Sequence, residues 1–254
     1  MKSMRIVVIG GTGLIGTRVV QQLRSTGHDA IAASRATGVN SYTTVGLPEA
    51  LEGADVVIDV SNSPYTDYEG AIEFFETSTL NLLSFGHSAG VRHHVALSVV
   101  GTERLASEEG KYFLAKAQQE ALIRNSGMAY SIVHGTQFFE FLRSIADFAT
   151  EGGRIALPHA FVQPIAADDI ATAVADTAVT APTNTIVEHA GPEVFRLDEL
   201  IERELRIRRD PREVEVDPLG RYFGARLAEN DLLPGADAIL APTRFENWLA
   251  QPVR

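Results

Sequence analysis

The sequence predicts an α/β fold, a doubly wound parallel sheet with helices on both faces and a small C-terminal lobe. Three observations carry that expectation. Short apolar runs alternate with stretches of helical spacing through the first half of the chain. Those runs are continuous rather than alternating, as in strands covered on both faces. The first run opens directly into Gly10-Gly11-Thr12-Gly13-Leu14-Ile15-Gly16, a turn rich in glycine at the start of a helix. Alternation of this kind builds parallel sheets with right-handed crossovers.

Taken in order, Arg5–Ile9 reads as the first strand; four apolar residues ending in glycines are too few for a signal segment. Leu14–Ser25 carries Ile15, Val19 and Leu23 at helical spacing and stops at Gly27. Ala30–Ser34 is the second strand and Ser41–Val45 a short third. Val56–Val60 is a continuous apolar strand, followed by a helix over Tyr68–Ala89, a strand at Val95–Val99, a helix over Lys111–Arg124 and a strand at Tyr130–Val133. Helices are predicted at Phe138–Ala149, from an N-cap at Asp168/Asp169 to about Val179, at Leu197–Arg209, at Leu219–Glu229 and at Pro242–Leu249. Frequent prolines cut this half into short pieces. The expected organisation is one domain over 1–254, in which residues from about 155 onward form the substrate-side lobe.

Composition narrows the function. Of 254 residues, 45% are hydrophobic and 22% charged, near the globular average. The net charge of -11 argues against a nucleic-acid or membrane-surface partner. No apolar run approaches the length of a membrane span. Absence of cysteine removes disulfides, thiolate nucleophiles and Cys-ligated metals, and suits a reducing, cytoplasmic setting. His93 and His94 are adjacent and face opposite sides of a strand, so they do not chelate together, and no metal site is expected. A serine hydrolase is not expected either. Charge is uneven: Lys2, Arg5, Arg18, Arg24 and Arg35 against Asp29 give residues 1–36 a net +4, which leaves -15 on the rest. That balance suits either a solvated face or a site for an anion near the N-terminus.

Three motifs carry chemistry. Gly11–Gly16 spells G-x-G-x-x-G between a strand and a helix, the context in which the pattern means a dinucleotide. Without side chains at Gly10, Gly13 and Gly16, the backbone can approach a pyrophosphate, and the amides around Thr12, Leu14 and Ile15 face it. Ser34-Arg35 ends the second strand, where an acid selects NAD; a guanidinium suits a 2′-phosphate, so NADP (NADPH) is expected over NAD. Tyr112 and Lys116 stand at i and i+4, about 5–6 Å apart at Cβ on one helix face. A cation beside a phenol lowers its pKa toward acid/base use, although the same spacing also describes an ordinary exposed pair.

With these residues in view, the chain resembles the Rossmann-type short-chain dehydrogenase/reductase superfamily over roughly residues 4–180. GGTGLIG, TLNLLSFGHSAGVRHHVALS (Thr79–Ser98) and YFLAK (Tyr112–Lys116) carry the resemblance. GTQFFEF (Gly135–Phe141) and AADDIATAVADTA (Ala166–Ala178) are similar to its atypical NmrA-like, isoflavone-reductase-like branch. The resemblance implies a reductase acting on a small carbonyl or quinone. Tyr112 would protonate the substrate oxygen, and Lys116 would hold the nicotinamide ribose. Asp55 would approach the adenine edge, Val60, Ser61 and Asn62 would line the passage to the nicotinamide, and His134, Gly135 and Thr136 would flank it. Asn81 would sit behind the site and Phe138 in the substrate pocket. The family strand ends in two serines where this one reads Ser98-Val99. If Ser98 takes the second serine's role, a catalytic set of Ser98, Tyr112 and Lys116 exists. If Val99 holds that position, the set is broken, with Thr102 or Thr136 as substitutes. Two other readings stay open: a non-catalytic NADP(H) sensor acting on a protein partner, and an epimerase or dehydratase.

Overall fold

Strand β1 (Arg5–Ile9) leads into α1 (Leu14–Ser25), β2 (Asp29–Ala33) and, past a 3₁₀ turn at Arg35–Thr37, the short helix α2 (Leu47–Leu51). Then come β3 (Val56–Asp59), α3 (Tyr68–Ser88), β4 (His93–Val99), α4 (Thr102–Leu105), α5 (Lys111–Asn125) and β5 (Tyr130–Gly135). A 3₁₀ turn at Phe139–Phe141 precedes α6 (Leu142–Phe148), β6 (Thr150–Glu151), β7 (Arg154–Leu157), β8 (Phe161–Val162) and α7 (Ala167–Val179). The remainder is β9 (Ile186–Ala190), β10 (Phe195–Arg196), α8 (Leu197–Arg208), β11 (Glu213–Val216), β12 (Ile239–Leu240) and α9 (Phe245–Leu249). These elements come from a computed structural model that describes residues 3–63, 68–106 and 110–251.

The central parallel sheet has the strand order β12-β9-β5-β4-β3-β1-β2. Its direction of growth reverses between β1 and β3, and parallel sheets bind ligands outside the carboxyl ends of the strands at such a reversal. Here those ends are Ile9 and Asp59, which are register partners. Continuous burial explains the unbroken apolar strands: Ile6, Val7, Val8, Val57 and Ile58 are wholly buried. Helix α1 buries Ile15, Val19, Val20 and Leu23, one stripe of its surface.

The chain divides into two compact units. The first comprises Met1–Ser98, Ala115–His134 and Asp168–Val187. Its core includes Val7, Ile9, Leu47, Leu51, Val57 and Leu82. The second comprises Val99–Leu114, Gly135–Ala167 and Glu188–Arg254, three stretches rather than one continuous piece after residue 155. It holds the β11-β7-β6 sheet, the antiparallel β8-β10 pair, and a ring cluster in which Phe139 packs on Phe245 and Trp248.

Several local expectations are corrected. Ser41–Val45 is a closed turn, not a strand: Asn40 N donates to Val45 O, Thr44 has φ +65°, and Asn81 Nδ2 donates to Ser41 O and Tyr42 O. Leu219–Glu229 is not a helix. Tyr222 and Ala225 exchange backbone bonds across Phe223 and Gly224, both at positive φ, which no helix accommodates. Asp168 and Asp169 lie inside the first turn of α7 rather than at its cap. Gly86-His87-Ser88-Ala89-Gly90 spells the G-x-S-x-G of a nucleophile elbow. It sits at the end of α3 with Ser88 Oγ donating to Ser84 O, not on the strand-to-helix turn the elbow requires.

Buried His93 makes the fold sensitive to acid. Burial, reinforced by the neighbouring His94, lowers its pKa to about 4, and its Nε2 meets Ser131 Oγ at 2.9 Å. The unfolded chain, with an ordinary histidine pKa near 6.5, takes up a proton that the folded one refuses. Stability is therefore full above that value and falls as pH drops through the window toward 4. Urea unfolding should show a loss of about 2 kcal/mol from this residue between pH 7 and pH 5. A His93→Gln variant with an unchanged pH slope would refute the assignment.

Candidate functional site

The glycines after β1 divide into structural and open ones. A Cβ on Gly16 would meet Gly10 O at 2.2 Å, and one on Gly11 would meet Ala32 Cα and Val8 O at 2.6 Å. These two let the loop, strand and helix close on one another. Gly10 combines φ +77° with Ser61 backbone 2.9 Å from its missing Cβ. Gly13 differs: its absent Cβ would have only Gly10 O, at 3.2 Å, within 4 Å, so its exposed side opens into free space. The first intrahelical bond of α1 runs from Thr17 N to Gly13 O. The amides of Leu14, Ile15 and Gly16 therefore have no helical acceptor. No side chain caps this helix, and no acid lies in its first turn. An open cradle below uncapped amides suits the phosphates of a dinucleotide.

Most basic residues near the N-terminus have structural duties; Lys2 lies outside the described residues. Arg5 pairs with Asp29 at 3.0 Å, Arg18 with Asp168 at 2.6 Å, and Arg24 donates to Ala30 O. Arg35 is exposed and has no ion pair among the described residues. Its turn is fixed by Ser34, whose N–H is held by Thr37 Oγ1 at 2.9 Å, and Thr12 Oγ1 lies 3.0 Å from Ser34 Oγ. The glycine loop and the end of β2 thus form one rigid rim with a free guanidinium on it.

Asp55 is a correction. It stands ahead of β3, at the strand's amino end, accepts Arg5 N at 2.8 Å and pairs with Arg92. The glycine loop is at the other end of the sheet, so Asp55 does not reach an adenine there. The acid at the carboxyl end is Asp59, only 1% exposed. Its Oδ1 accepts Ser61 N at 2.9 Å and Ser61 Oγ at 2.6 Å, which fixes the backbone path through Val60 and Ser61 to the exposed Asn62.

From Asp59 a buried polar network runs inward. Gln119 Nε2 donates to Asp59 Oδ2 at 2.9 Å, and Lys116 Nζ donates to Gln119 and, at 2.9 Å, to Leu97 O. Lys116 is 3% exposed, with Nζ 4.6 Å from the Phe75 ring centre. Burial lowers its pKa to about 8, against the opposing pull of Asp59 and Glu120. Burial pushes the Glu120 carboxyl up, but His134, Ser98 and Lys116 outweigh it and hold it below its ordinary value. Glu120 Oε1 receives Ser98 Oγ at 2.5 Å and His134 Nε2 at 2.8 Å.

This geometry corrects the role expected of Ser98. A hydroxyl has one proton, and Ser98 gives it to an ionised carboxylate, which is acceptor only. Ser98 therefore has no proton with which to polarise a substrate oxygen. Thr102, a proposed substitute, donates to Val99 O at 2.5 Å. Tyr112 belongs to the second unit, half-buried, its ring edge-on to Phe113 at 5.7 Å. The unit boundary falls between it and Lys116, on the same helix. Gly135 and Thr136 are also in the second unit; Thr136 N donates to His189 O, and its buried hydroxyl has no partner among the described residues. The Phe138 ring packs against Phe141 at 5.3 Å, tilted by 31°. Asn81 serves the turn at Ser41–Tyr42.

Asp59, Gln119 and Glu120 are the site residues that sequence reasoning missed. A signal was present. Phe113, Lys116, Glu120 and Ile123 recur at i, i+3, i+7 and i+10, so two charges occupy the buried stripe of α5.

The profile of the NAD(P)H-binding family matches residues 10–180. A divinyl chlorophyllide a 8-vinyl-reductase from Cucumis sativus is 28% identical over 224 residues, covering 75% of this chain and 54% of that protein. The chain thus spans about half the length of the vinyl-reductase relatives it matches. An NAD(P)H azoreductase from Xenophilus azovorans is 30% identical over 193 residues, 70% of this chain and 64% of that one. Among solved structures, MoeE5 in complex with UDP-glucose and NAD matches with a TM-score of 0.74 and 16% identity over 96% of each chain, a likeness of fold.

Proposed function

The chain belongs to the NAD(P)H-binding family, and from that premise we propose an oxidoreductase that uses NADPH to reduce a small carbonyl or quinone. The observation that carries the reading is the rim itself: the open face of Gly13 and the uncapped α1 amides, next to the unpaired guanidinium of Arg35. The α1 amides would hold the pyrophosphate, and Arg35 with Ser34 the 2′-phosphate. Lys116 spends two of its three protons on Leu97 O and Gln119, leaving one for a ribose hydroxyl. When bound, the reduced nicotinamide supplies the hydride. Tyr112 supplies the proton to the substrate oxygen.

Cofactor choice is the direct test. Charge-assisted hydrogen bonds from Arg35 contribute about 1.5–3 kcal/mol, so Arg35→Ala should weaken NADPH roughly 10- to 100-fold and leave NADH nearly unchanged. Titrations of both cofactors against both proteins measure it. Equal losses would remove Arg35 from 2′-phosphate recognition.

A second reading is favoured by one observation, the commitment of the Ser98 proton to Glu120. A protein whose serine cannot polarise a carbonyl could bind NADP(H) without turnover and report the redox state to a partner. Such a sensor would consume no NADPH with any carbonyl or quinone.

A further inference from the structure

The buried stripe of α8 contains an acid. Leu197, Leu200, Ile201, Glu204 and Leu205 are its buried residues, and Glu204 is only 3% exposed. Ile201, Glu204, Leu205 and Arg208 recur at i, i+3, i+4 and i+7, the spacing of one helix face. That face forms one wall of a cavity of about 180 Å³. Arg143 and Ala146 of α6, with Asp210 and Pro211 of the turn after α8, complete the lining. The whole cavity lies within the second unit, and the glycine loop, Arg35 and Lys116 take no part in it.

The polar groups around this cavity are unequally used. Asp210 is taken up by Arg212, whose Nε and Nη2 reach it at 3.0 and 2.7 Å. Glu204 Oε1 accepts from Arg208 Nε. Glu204 Oε2 is buried and has no hydrogen-bond partner among the described residues, a costly arrangement for a carboxyl oxygen. Arg143 stands 3.8 Å from Asp147, beyond hydrogen-bond reach, so its guanidinium has donors to spare. The cavity therefore lacks a donor for Glu204 and an acceptor for Arg143. Between them, Ala146, Ile201, Leu205 and Pro211 give it an apolar surface. The side chains of Arg143 and Arg208 are 68% and 44% exposed. Exposed side chains change rotamer within nanoseconds, so a ligand can pass them to reach Glu204.

We propose that this cavity binds a small zwitterion with an aliphatic body, an α-amino acid of about leucine's size. The ammonium donates to Glu204 Oε2, the carboxylate accepts from Arg143, and the aliphatic side chain lies on Ile201, Leu205 and Pro211. Pockets for larger organic ligands run to roughly 300–1,000 Å³, so this one is too small for a dinucleotide. It is a second ligand site, and it stands whether or not the NADPH reading does.

The test is an NMR titration of the isotope-labelled full chain with L-leucine and with two molecules that each lack one of its charges. The first, 4-methylpentanoate, keeps the carboxylate and lacks the amine; the second, 3-methylbutylamine, keeps the amine and lacks the carboxylate. Leucine should move the amide signals of Ala146, Ile201 and Leu205. Each single-charge molecule should bind roughly tenfold or more weakly, the loss of one charge-assisted hydrogen bond. Arg143→Ala alters an exposed side chain and should leave the fold intact. It should weaken leucine by a similar factor and leave 3-methylbutylamine unchanged. Glu204→Gln, once circular dichroism shows it folded, should weaken leucine and leave 4-methylpentanoate unchanged. If that buried variant does not fold, Arg143→Ala and the two single-charge molecules decide the matter alone. No saturable shift with leucine, shifts centred away from α6 and α8, a single-charge molecule that binds as tightly as leucine, or undiminished leucine affinity in Arg143→Ala would each overturn the proposal.

Discussion

Tyr112→Phe is expected to lower turnover by roughly 10²–10⁴-fold, the usual size of a general-acid effect, while NADPH affinity stays within a few-fold. The substitution removes one oxygen and keeps the ring, so its edge-on packing against Phe113 is preserved. Of the other hydroxyls the sequence offered, Ser98 donates to Glu120 and Thr102 to Val99 O, which leaves Thr136 as the one whose hydroxyl has no partner among the described residues. Lys116→Met should lower both turnover and affinity, because its ammonium is held at a fixed place by Leu97 O and Gln119. A panel of aldehydes, ketones and quinones must first yield a substrate. Turnover by Tyr112→Phe equal to that of the parent would remove Tyr112 as the acid. Failure of the whole panel, with NADPH still bound, would favour the sensor.

Gly13→Val should abolish dinucleotide binding and leave the fold intact. The added side chain meets only Gly10 O, at 3.2 Å from its Cβ, and otherwise projects into the open space where a pyrophosphate would lie. Gly16→Val is the contrasting variant. Its Cβ would stand 2.2 Å from Gly10 O, a clash with backbone that must displace the loop itself. Circular dichroism and thermal unfolding should therefore separate the two, with Gly13→Val native-like and Gly16→Val destabilised. Unchanged NADPH affinity in a folded Gly13→Val protein would move the dinucleotide away from this loop.

The alternating half of the chain was legible because its information is local. Val56–Ile58 and Ile6–Ile9 are buried on both faces and read as unbroken apolar runs; α1 buries one stripe and reads as helical spacing. The glycine loop was legible for the same reason, since its strand, turn and helix are contiguous. The C-terminal half was less so. Two-residue strands such as β8, β10 and β12 carry no period, and Leu219–Glu229 has helical spacing that two consecutive positive-φ residues override.

By itself the sequence determined the α/β class, the glycine turn between the first strand and the first helix, and the guanidinium at the end of β2. Each follows from residue type and near-neighbour spacing. Only the tertiary structure decided what the polar side chains do. Asp55 stands just ahead of β3 and Asp59 ends it, yet one braces the sheet's amino end and the other holds the backbone beside the glycine loop. Ser98 reads as a catalytic hydroxyl until Glu120, 22 residues away, accepts its hydrogen bond. Lys116 looks like an exposed partner of Tyr112 until burial brings its pKa to about 8. The physical reason is that a polar group's chemistry depends on its solvation and on the partner that holds its proton, and both are set by chain segments distant in sequence.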